Sequence, residues 1–243
     1  MPSAQESPLD AAIRAYWNER IHDTVLSDDP PGSPAFYAAL DSYRLKKCGY
    51  LLKVVAFEQW AGRDVLEIGC GAGLDLVRFA RGGARVTGVD IAEQALVLAR
   101  GCCDAANVKA PLLLADGAAL PFPGDSFDLV YCHGVLPFVA DPAAVVAEAH
   151  RVLRPGGTAI FMVYNRRSWM RLASRLAGLD PGHGDAPGFT LYDRGGFADL
   201  LQAFAKSVIT SEKPSLPAGF RHDITGRIFD LGWHLVARCR KGT

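Results

Sequence analysis

Three glycines within five residues separate two apolar runs of the chain, in the stretch VLEIGCGAGLDLVRFARGGARVTGVDI (65–91). Glycines at a strand-to-helix turn let the backbone approach a ligand closely, and dinucleotide-binding proteins use them in this way. A dinucleotide site requires the spacing G-x-G-x-x-G. Here the glycines are Gly69, Gly71 and Gly73, and Leu74 takes the place of the third glycine of that spacing. The turn therefore predicts a ligand other than a dinucleotide.

Two carboxylates flank this turn and indicate the charge of its ligand. Glu67 lies two residues before the first glycine, and Asp90 ends the second apolar run. A pyrophosphate at the turn would be repelled by Glu67, whereas a cationic ligand would be attracted. S-adenosylmethionine carries an ammonium and a sulfonium and has no phosphate, so its charge fits the pattern.

Alternating strands and helices must position these residues. The strand-like runs are 64–69, 84–90, 111–116, 127–132 and 158–164, and the helix-like stretches between them are 74–82, 92–106 and 141–153. Such alternation predicts a parallel sheet with right-handed crossovers and helices on both faces. Open α/β sheets bind ligands at the carboxyl ends of their strands, so the turn and its carboxylates should meet there.

The flanking segments differ from this central pattern. Residues 8–60 are expected to be mostly helical, with an interruption at 27–34. After the fifth strand the sequence predicts helices over 165–178 and 193–204, a Gly/Pro-rich loop at 179–188, and two further strands in 206–211 and 232–240.

Composition limits the class of protein. The 243 residues contain 26 basic and 26 acidic side chains, so the net charge is zero, which argues against a nucleic-acid partner. No secretion signal precedes residue 10, no apolar run is long enough to span a bilayer, and the six cysteines form no CxxC pair. We therefore expect a cytoplasmic protein with no structural metal and no membrane partner, either a monomer or a homodimer.

Four segments in succession give the chain a family resemblance. VLEIGCGAG, VTGVD, ADGAALPFPGDSFDLVYCHGVL and RVLRPGG resemble the motifs of class I S-adenosylmethionine-dependent methyltransferases, closest to the ubiquinone-biosynthesis-like group acting on small molecules. The resemblance covers roughly residues 60–165. It implies an enzyme of α/β class with a doubly wound, mostly parallel seven-stranded sheet, an antiparallel last strand, helices on both faces and an N-terminal helical lid. The implied division is a helical cap over 1–60 and a Rossmann-like methyltransferase domain over 61–243, with 165–205 as a substrate-side insertion.

The resemblance also assigns cofactor contacts. They are Gly69, Gly71 and Gly73 at the methionine part, Glu67 beneath it, Asp90 at the ribose hydroxyls, Ile91 against adenine, Asp116 with Gly117 at the adenine amine, Cys132 and His133 at the methyl end, Arg44 at the cofactor carboxylate, and Tyr16 closing over the methionine. Taken alone, an aspartate after a strand is usually a turn former or helix N-cap.

Methyl transfer to an oxygen gains from a base of near-neutral pKa, for which histidine is best suited. His133 follows the fourth strand and is the leading candidate, with a purely packing or hydrogen-bonding role as the alternative. Residues expected to meet the substrate are Phe138, Tyr164, Arg166, His183 and His222. Pro137 and Phe138 stand where the group usually carries paired histidines, which makes that wall apolar.

The predicted reaction transfers a methyl group from S-adenosylmethionine to a small molecule and leaves S-adenosylhomocysteine. Oxygen is the favoured acceptor atom, and nitrogen or carbon comes next. The alternatives are a protein or RNA methyltransferase, an inactive S-adenosylmethionine-binding scaffold and, weakened by Glu67 and Leu74, a nicotinamide oxidoreductase. The substrate cavity is expected to be enclosed and largely apolar, and to be capped by residues 8–45 and 165–190, with hinges at 27–34 and 179–188.

Overall fold

A seven-stranded sheet in the order β3-β2-β1-β4-β5-β7-β6 forms the centre of the molecule. The computed structural model describes residues 7–20, 27–176, 185–212 and 232–243. The strands are β1 Asp64–Ile68, β2 Arg85–Asp90, β3 Leu112–Leu114, β4 Phe127–His133, β5 Leu153–Tyr164, β6 Lys206–Glu212 and β7 His234–Arg240. The first five pair in parallel, and β7 runs antiparallel to both β5 and β6. The predicted sheet with its antiparallel last strand is confirmed.

Eight helices connect or precede these strands in the described ranges. They are α1 Pro8–Glu19, α2 Pro34–Lys47, α3 Leu51–Val54, α4 Leu74–Arg81, α5 Glu93–Ala105, α6 Pro142–Val152, α7 Trp169–Leu176 and α8 Arg194–Leu200, with 3₁₀ turns at Phe57–Trp60 and Leu136–Phe138. Helices α1, α2 and α6 begin in the same way. The side-chain oxygen of the N-cap residue accepts a backbone N–H of the first turn, and a proline occupies the first helical position.

The two faces of the sheet have separate cores because side chains alternate along each strand. Leu66 and Ile68 of β1 pack with α6 and α8 on one face. Val65 packs on the other face with α4 and with the segment that precedes β1. Glu67 points to the same face of the sheet as Val65. The charged side chains Asp75 and Arg78 of α4 lie on that face as well.

The N-terminal helices are packed against this second face. Phe36 and Tyr37 of α2 lie against α4 and α5, and the Tyr37 hydroxyl donates to the Leu98 carbonyl at 2.8 Å. Leu51 and Trp60 belong to the same core as β1 and β4. The predicted boundary at residue 60 therefore falls inside continuous packing, and the division into cap and domain stays a prediction.

Two elements have boundaries that differ from those expected. β5 starts at Leu153, because Leu153 pairs with Phe127 before a bulge in the ladder. α7 starts at Trp169 instead of residue 165. Asn165 is still held beside β7, because its N–H donates to the Trp233 carbonyl at 2.9 Å and its buried side-chain amide donates to the Gly232 carbonyl at 2.8 Å, and a turn follows before the helix begins.

Some predictions fall outside the described residues. His183, His222 and most of the loop at 179–188 lie there, so their roles stay predictions. The six cysteines are free and buried. Within the part of the chain that the structure describes, no helix has the length and apolar character needed to cross a membrane.

We predict that Gly73→Ala weakens the fold more than a matched glycine substitution. Gly73 has φ +81° and an added Cβ would lie 2.9 Å from Ala99 Cα of α5, so both strain and overpacking result. We expect the free energy of unfolding in urea to fall by about 3 kcal/mol. Gly62 has φ +70° but open space around it, so Gly62→Ala should cost only about 1 kcal/mol. Equal losses in the two variants would contradict the packing role of Gly73.

Candidate active site

A cavity of about 380 Å³ opens at the carboxyl ends of β1, β2, β4 and β5. Eleven residues predicted from the sequence line it: Arg44, Glu67, Gly69, Gly71, Asp90, Ile91, Asp116, Gly117, His133, Phe138 and Tyr164. Residues from α1 and α2 also border the cavity, so the helices before the sheet cover part of it. The structure thus brings most of the predicted site residues together.

Four other predicted residues do not line the cavity. The Tyr16 hydroxyl donates to Asp185 at 3.1 Å, and the neighbouring Trp17 borders the cavity instead. Gly73 serves the packing of α4 on α5. Cys132 is fully buried in the core on the α6 face, because alternation along β4 turns it away from the face of Tyr131. Arg166 is exposed and donates to the Leu191 carbonyl at 3.0 Å.

Asp90 and Asp116 form the acidic side of the cavity. The two oxygens of Asp90 accept from the backbone N–H groups of Gly71 at 2.8 Å and Ala92 at 3.0 Å, which fixes the glycine turn against the end of β2. Asp116 accepts from the Ala118 N–H at 2.8 Å. A carboxylate oxygen can accept more than one hydrogen bond, so both side chains retain capacity toward a ligand hydroxyl or amine.

Glu67 is a buried carboxyl at the floor of the cavity. It is 4% exposed, and its Oε2 has no hydrogen-bond partner among the described residues. Burial and the nearby Asp75 carboxylate raise the pKa of Glu67 well above its ordinary value, although Arg44 and Arg78 oppose them. A cation bound beside Glu67 would favour its ionised form.

Asp75 joins three elements beneath this floor. Its carboxylate accepts from the Arg44 guanidinium of α2, from Arg78 one turn along α4, and from the Tyr131 hydroxyl of β4 at 2.9 Å. Burial acts to raise the pKa of Asp75, but Arg44 and Arg78 outweigh it and hold this pKa far below its usual range. Arg44 is thus committed to Asp75 while it borders the cavity.

Two histidines border the opposite side of the cavity. His133 Nε2 lies 2.9 Å from the Tyr50 hydroxyl, and His234 Nδ1 lies 2.8 Å from the same oxygen. Burial and the Arg44 cation lower the pKa of His133 to about 3, although Asp75 acts in the opposite direction. His133 is therefore neutral at physiological pH.

Aromatic rings form the wall near the histidines. Phe138 packs edge-on against Trp17 with ring centres 5.1 Å apart, and it stacks on Phe189 at 5.2 Å. Tyr164 lies 6.0 Å from Phe138. This wall suits a flat apolar molecule more than a charged one.

Four residues of the site were missed by the sequence analysis: Trp17, Tyr50, Asp75 and His234. Asp75 carried a usable signal, since an acidic residue in the first turn of α4 stands three positions before Arg78. Tyr50 and His234 carried none, because 184 positions separate them in the chain and only the fold brings them together.

The chain is similar to known methyltransferases over its central part. Residues 66–161 match the family model described as "Methyltransferase domain". A ubiquinone biosynthesis O-methyltransferase of Thiobacillus denitrificans is 40% identical over 110 residues, which cover 44% of this chain and 47% of that protein. One from Methylococcus capsulatus is 33% identical over 140 residues, covering 57% and 56%. The chain spans about half the length of the curated relatives it matches.

Solved structures share the fold. A methyltransferase from Mesorhizobium loti, described as S-adenosylmethionine dependent, superposes with a TM-score of 0.60 at 23% identity, over 81% of this chain and 100% of its own. One from Aquifex aeolicus gives 0.59 at 16% identity, over 86% and 98%. The resemblance predicted from the sequence is confirmed over residues 66–161, which match the methyltransferase domain, and the solved structures that share the fold include methyltransferases described as S-adenosylmethionine dependent.

The cavity fits this cofactor in charge and in space. The unpartnered Oε2 of Glu67 offers a buried acceptor for an ammonium, and a cation bound there would favour the ionised carboxylate. Gly71 has φ +52° and borders the cavity, and the position where a Cβ would stand is open. Asp90 and Asp116 provide acceptors along the same wall.

We predict that Asp75→Asn destabilises the protein because Arg44 and Arg78 lose their shared anion. The free energy of unfolding at pH 7 should fall by about 3 kcal/mol in urea titrations. The folded pKa of Asp75 lies below its unfolded value of about 4, so the stabilisation is complete above that pH and is lost as the pH falls toward the folded value.

The difference between wild type and Asp75→Asn should therefore shrink as the pH is lowered below about 4. Asp104→Asn, an exposed change on α5, serves as the control and should leave stability unchanged. A difference that stays constant into the acid range would contradict the assignment.

Proposed function

We propose that this chain, whose residues 66–161 form a methyltransferase domain, transfers a methyl group from S-adenosylmethionine to a ring hydroxyl of a small aromatic molecule. One observation carries the proposal. A single cavity has carboxyl groups beside the glycine turn at one side and two histidines with aromatic rings at the other. The first side suits a cationic nucleoside, and the second suits an apolar acceptor that must lose a proton.

In this reaction the side chains bind the cofactor, orient the acceptor and exclude water. The cofactor supplies an electrophilic methyl group on a sulfonium that is already a good leaving group. Glu67 and Asp90 hold its charged and polar parts, while Trp17 and Phe138 orient the acceptor and exclude water. Alignment of the nucleophile with the methyl group is the main contribution required of the protein.

Oxygen is favoured as the target for two reasons. A hydroxyl is a weak nucleophile until its proton leaves, and the cavity has histidines to accept that proton. The relatives from Thiobacillus denitrificans and Methylococcus capsulatus are named as O-methyltransferases. Their matches cover about half of each protein, so they support the reaction type more than the substrate.

The rival functions make different demands on the surface. A protein or RNA methyltransferase needs an open groove for a polymer, whereas the cavity volume of about 380 Å³ lies within the range of small-molecule sites. The net charge of zero also offers no general attraction for RNA. A scaffold that binds the cofactor without catalysis would bind S-adenosylhomocysteine and methylate nothing. We keep the cytoplasm as the expected compartment and a monomer or homodimer as the expected state.

We predict that titration calorimetry detects binding of S-adenosylmethionine and S-adenosylhomocysteine and none of NAD. Asp90→Asn should weaken binding by at least roughly tenfold, because one charged acceptor is lost. Asp104→Asn is the matched control and should bind as the wild type does. Unchanged affinity in Asp90→Asn would show that the ribose contact was assigned to the wrong residue.

We also predict turnover on a chemically graded panel. Catechol and simple phenols should yield S-adenosylhomocysteine and a methyl ether, while aliphatic carboxylates and amines should yield neither. The products are measured by chromatography and mass spectrometry. Methylation of amines alone would overturn the oxygen assignment, and cofactor binding without any methylation would favour the scaffold.

A further inference from the structure

Three aromatic side chains from different elements bound the end of the cavity near the histidines. Trp17 belongs to α1, Phe138 to the 3₁₀ turn that follows β4, and Tyr164 to the end of β5, and all three border the cavity. The centre of the Phe138 ring lies 5.1 Å from that of Trp17 and 6.0 Å from that of Tyr164. The Tyr164 ring is in turn 5.4 Å from the His234 ring, so the three rings continue the side of the cavity that carries the histidines.

Phe138 and Tyr164 belong to the packed body of the domain. Phe138 is 4% exposed and Tyr164 is 8% exposed. The Phe189 ring stacks on Phe138 with centres 5.2 Å apart and lies 6.0 Å from Tyr164, so it supports both rings. The backbone is also held, since the Tyr192 N–H donates to the Tyr164 carbonyl at 3.0 Å. These two walls of the cavity are therefore fixed by the core.

Trp17 is held in a different way, by contacts near the surface of the molecule. It is half-buried, and its ring packs edge-on against Tyr16, with centres 5.1 Å apart, as well as against Phe138. The Tyr16 hydroxyl donates to Asp185 at 3.1 Å, and the exposed Arg20 pairs with the same carboxylate. An exposed ion pair contributes little stability. The orientation of the indole is thus set mainly by the two rings on either side of it.

The contact between Trp17 and Phe138 closes this end of the cavity. Their ring planes meet at 81° with centres 5.1 Å apart, which is direct edge-to-face packing and leaves no room for a third ring between them. An acceptor ring must therefore lie on the cavity side of this pair. The indole then limits how far the acceptor can extend toward α1.

α1 also reaches the cofactor side of the cavity, through Asn18. Its side-chain oxygen accepts from the Gln94 N–H at 3.3 Å, at the start of α5. Gln94 follows closely on Ala92, whose N–H donates to Asp90. Because Asn18 and Tyr16 attach α1 independently of the indole, shortening Trp17 should leave the helix and the cofactor side in place.

We propose that Trp17 determines the size of the acceptor and restricts it to molecules with a single aromatic ring. This rests on the proposed methyl transfer to a ring hydroxyl. Phe138 and Tyr164 form fixed walls, and the indole of Trp17 closes the space between them and α1. Removal of the indole opens the cavity toward α1 and admits a second, fused ring.

The kinetic test compares catechol with 2,3-dihydroxynaphthalene, which has the same pair of hydroxyls and one additional fused ring. We expect kcat/KM of the wild type to be at least about 100-fold higher for catechol. Trp17→Ala should lower this preference by about 10- to 100-fold, mainly through the KM values for the acceptors. Trp17→Phe, which keeps a smaller aromatic wall, should lie between the two. Leu9→Ala shortens a side chain that is 40% exposed on the same helix and should keep the wild-type preference.

Binding can be measured without turnover. Calorimetric titration of the complex with S-adenosylhomocysteine should show the same change of preference between the two diols in Trp17→Ala. The affinity for S-adenosylhomocysteine itself should be unchanged in this variant. A marked loss of that affinity in Trp17→Ala but not in Leu9→Ala would overturn the proposal, because the indole would then serve the cofactor side.

The outcomes separate this proposal from the one on which it rests. Methylation of catechol with the same preference in Trp17→Ala as in the wild type would overturn the role of Trp17 and leave methyl transfer intact. If the wild type binds the diols with the expected preference but methylates neither, the proposed function is overturned and the role of Trp17 stands. Binding of neither diol to the complex with S-adenosylhomocysteine would overturn both.

Discussion

The buried carboxylate of Asp75 is the interaction on which the rest of the site depends. It binds Arg44 of α2, Arg78 of α4 and the Tyr131 hydroxyl of β4, so a helix before the sheet is tied to a central strand that borders the cavity. A buried charge without a partner costs several kcal/mol, so removing one member of this network destabilises the others. The same network holds Arg44 close to His133, where burial first and the cation second lower the pKa of the imidazole and keep it neutral.

The fold was largely predictable because its determinants are local and periodic. Apolar runs of strand length alternate with helical stretches from residue 64 onward, and this pattern leaves few topologies for a parallel sheet. Caps such as Asp141 before Pro142 mark helix starts in the sequence itself. The boundaries that differed, at Leu153 and Asn165, are set by pairing with a distant strand and by a long-range hydrogen bond, which local patterns do not record.

The site was predictable in part for the same reason. The glycine turn with Glu67 and Asp90 is contiguous in the sequence, and the structure brings these residues to one cavity. The side of the cavity with the histidines is assembled from residues far apart in the chain, so neither Tyr50 nor His234 had a local signature. Cys132 shows the converse limit. It was expected to follow the fourth strand and to line the methyl end, but it lies within β4, and alternation along the strand turns its thiol into the core.

Because β7 is antiparallel, the two sides of the cavity are built from opposite ends of their strands. A parallel strand delivers its last residue to the ligand-binding edge, whereas β7 delivers its first, His234, and does so from the far side of β5. The side with the glycine turn, Asp90 and Asp116 is built by β1 to β3 and the turns that follow them. Substitution at the start of β7 therefore alters the side of the cavity that Tyr164 and Phe138 line, and leaves the glycine turn and Asp90 in place.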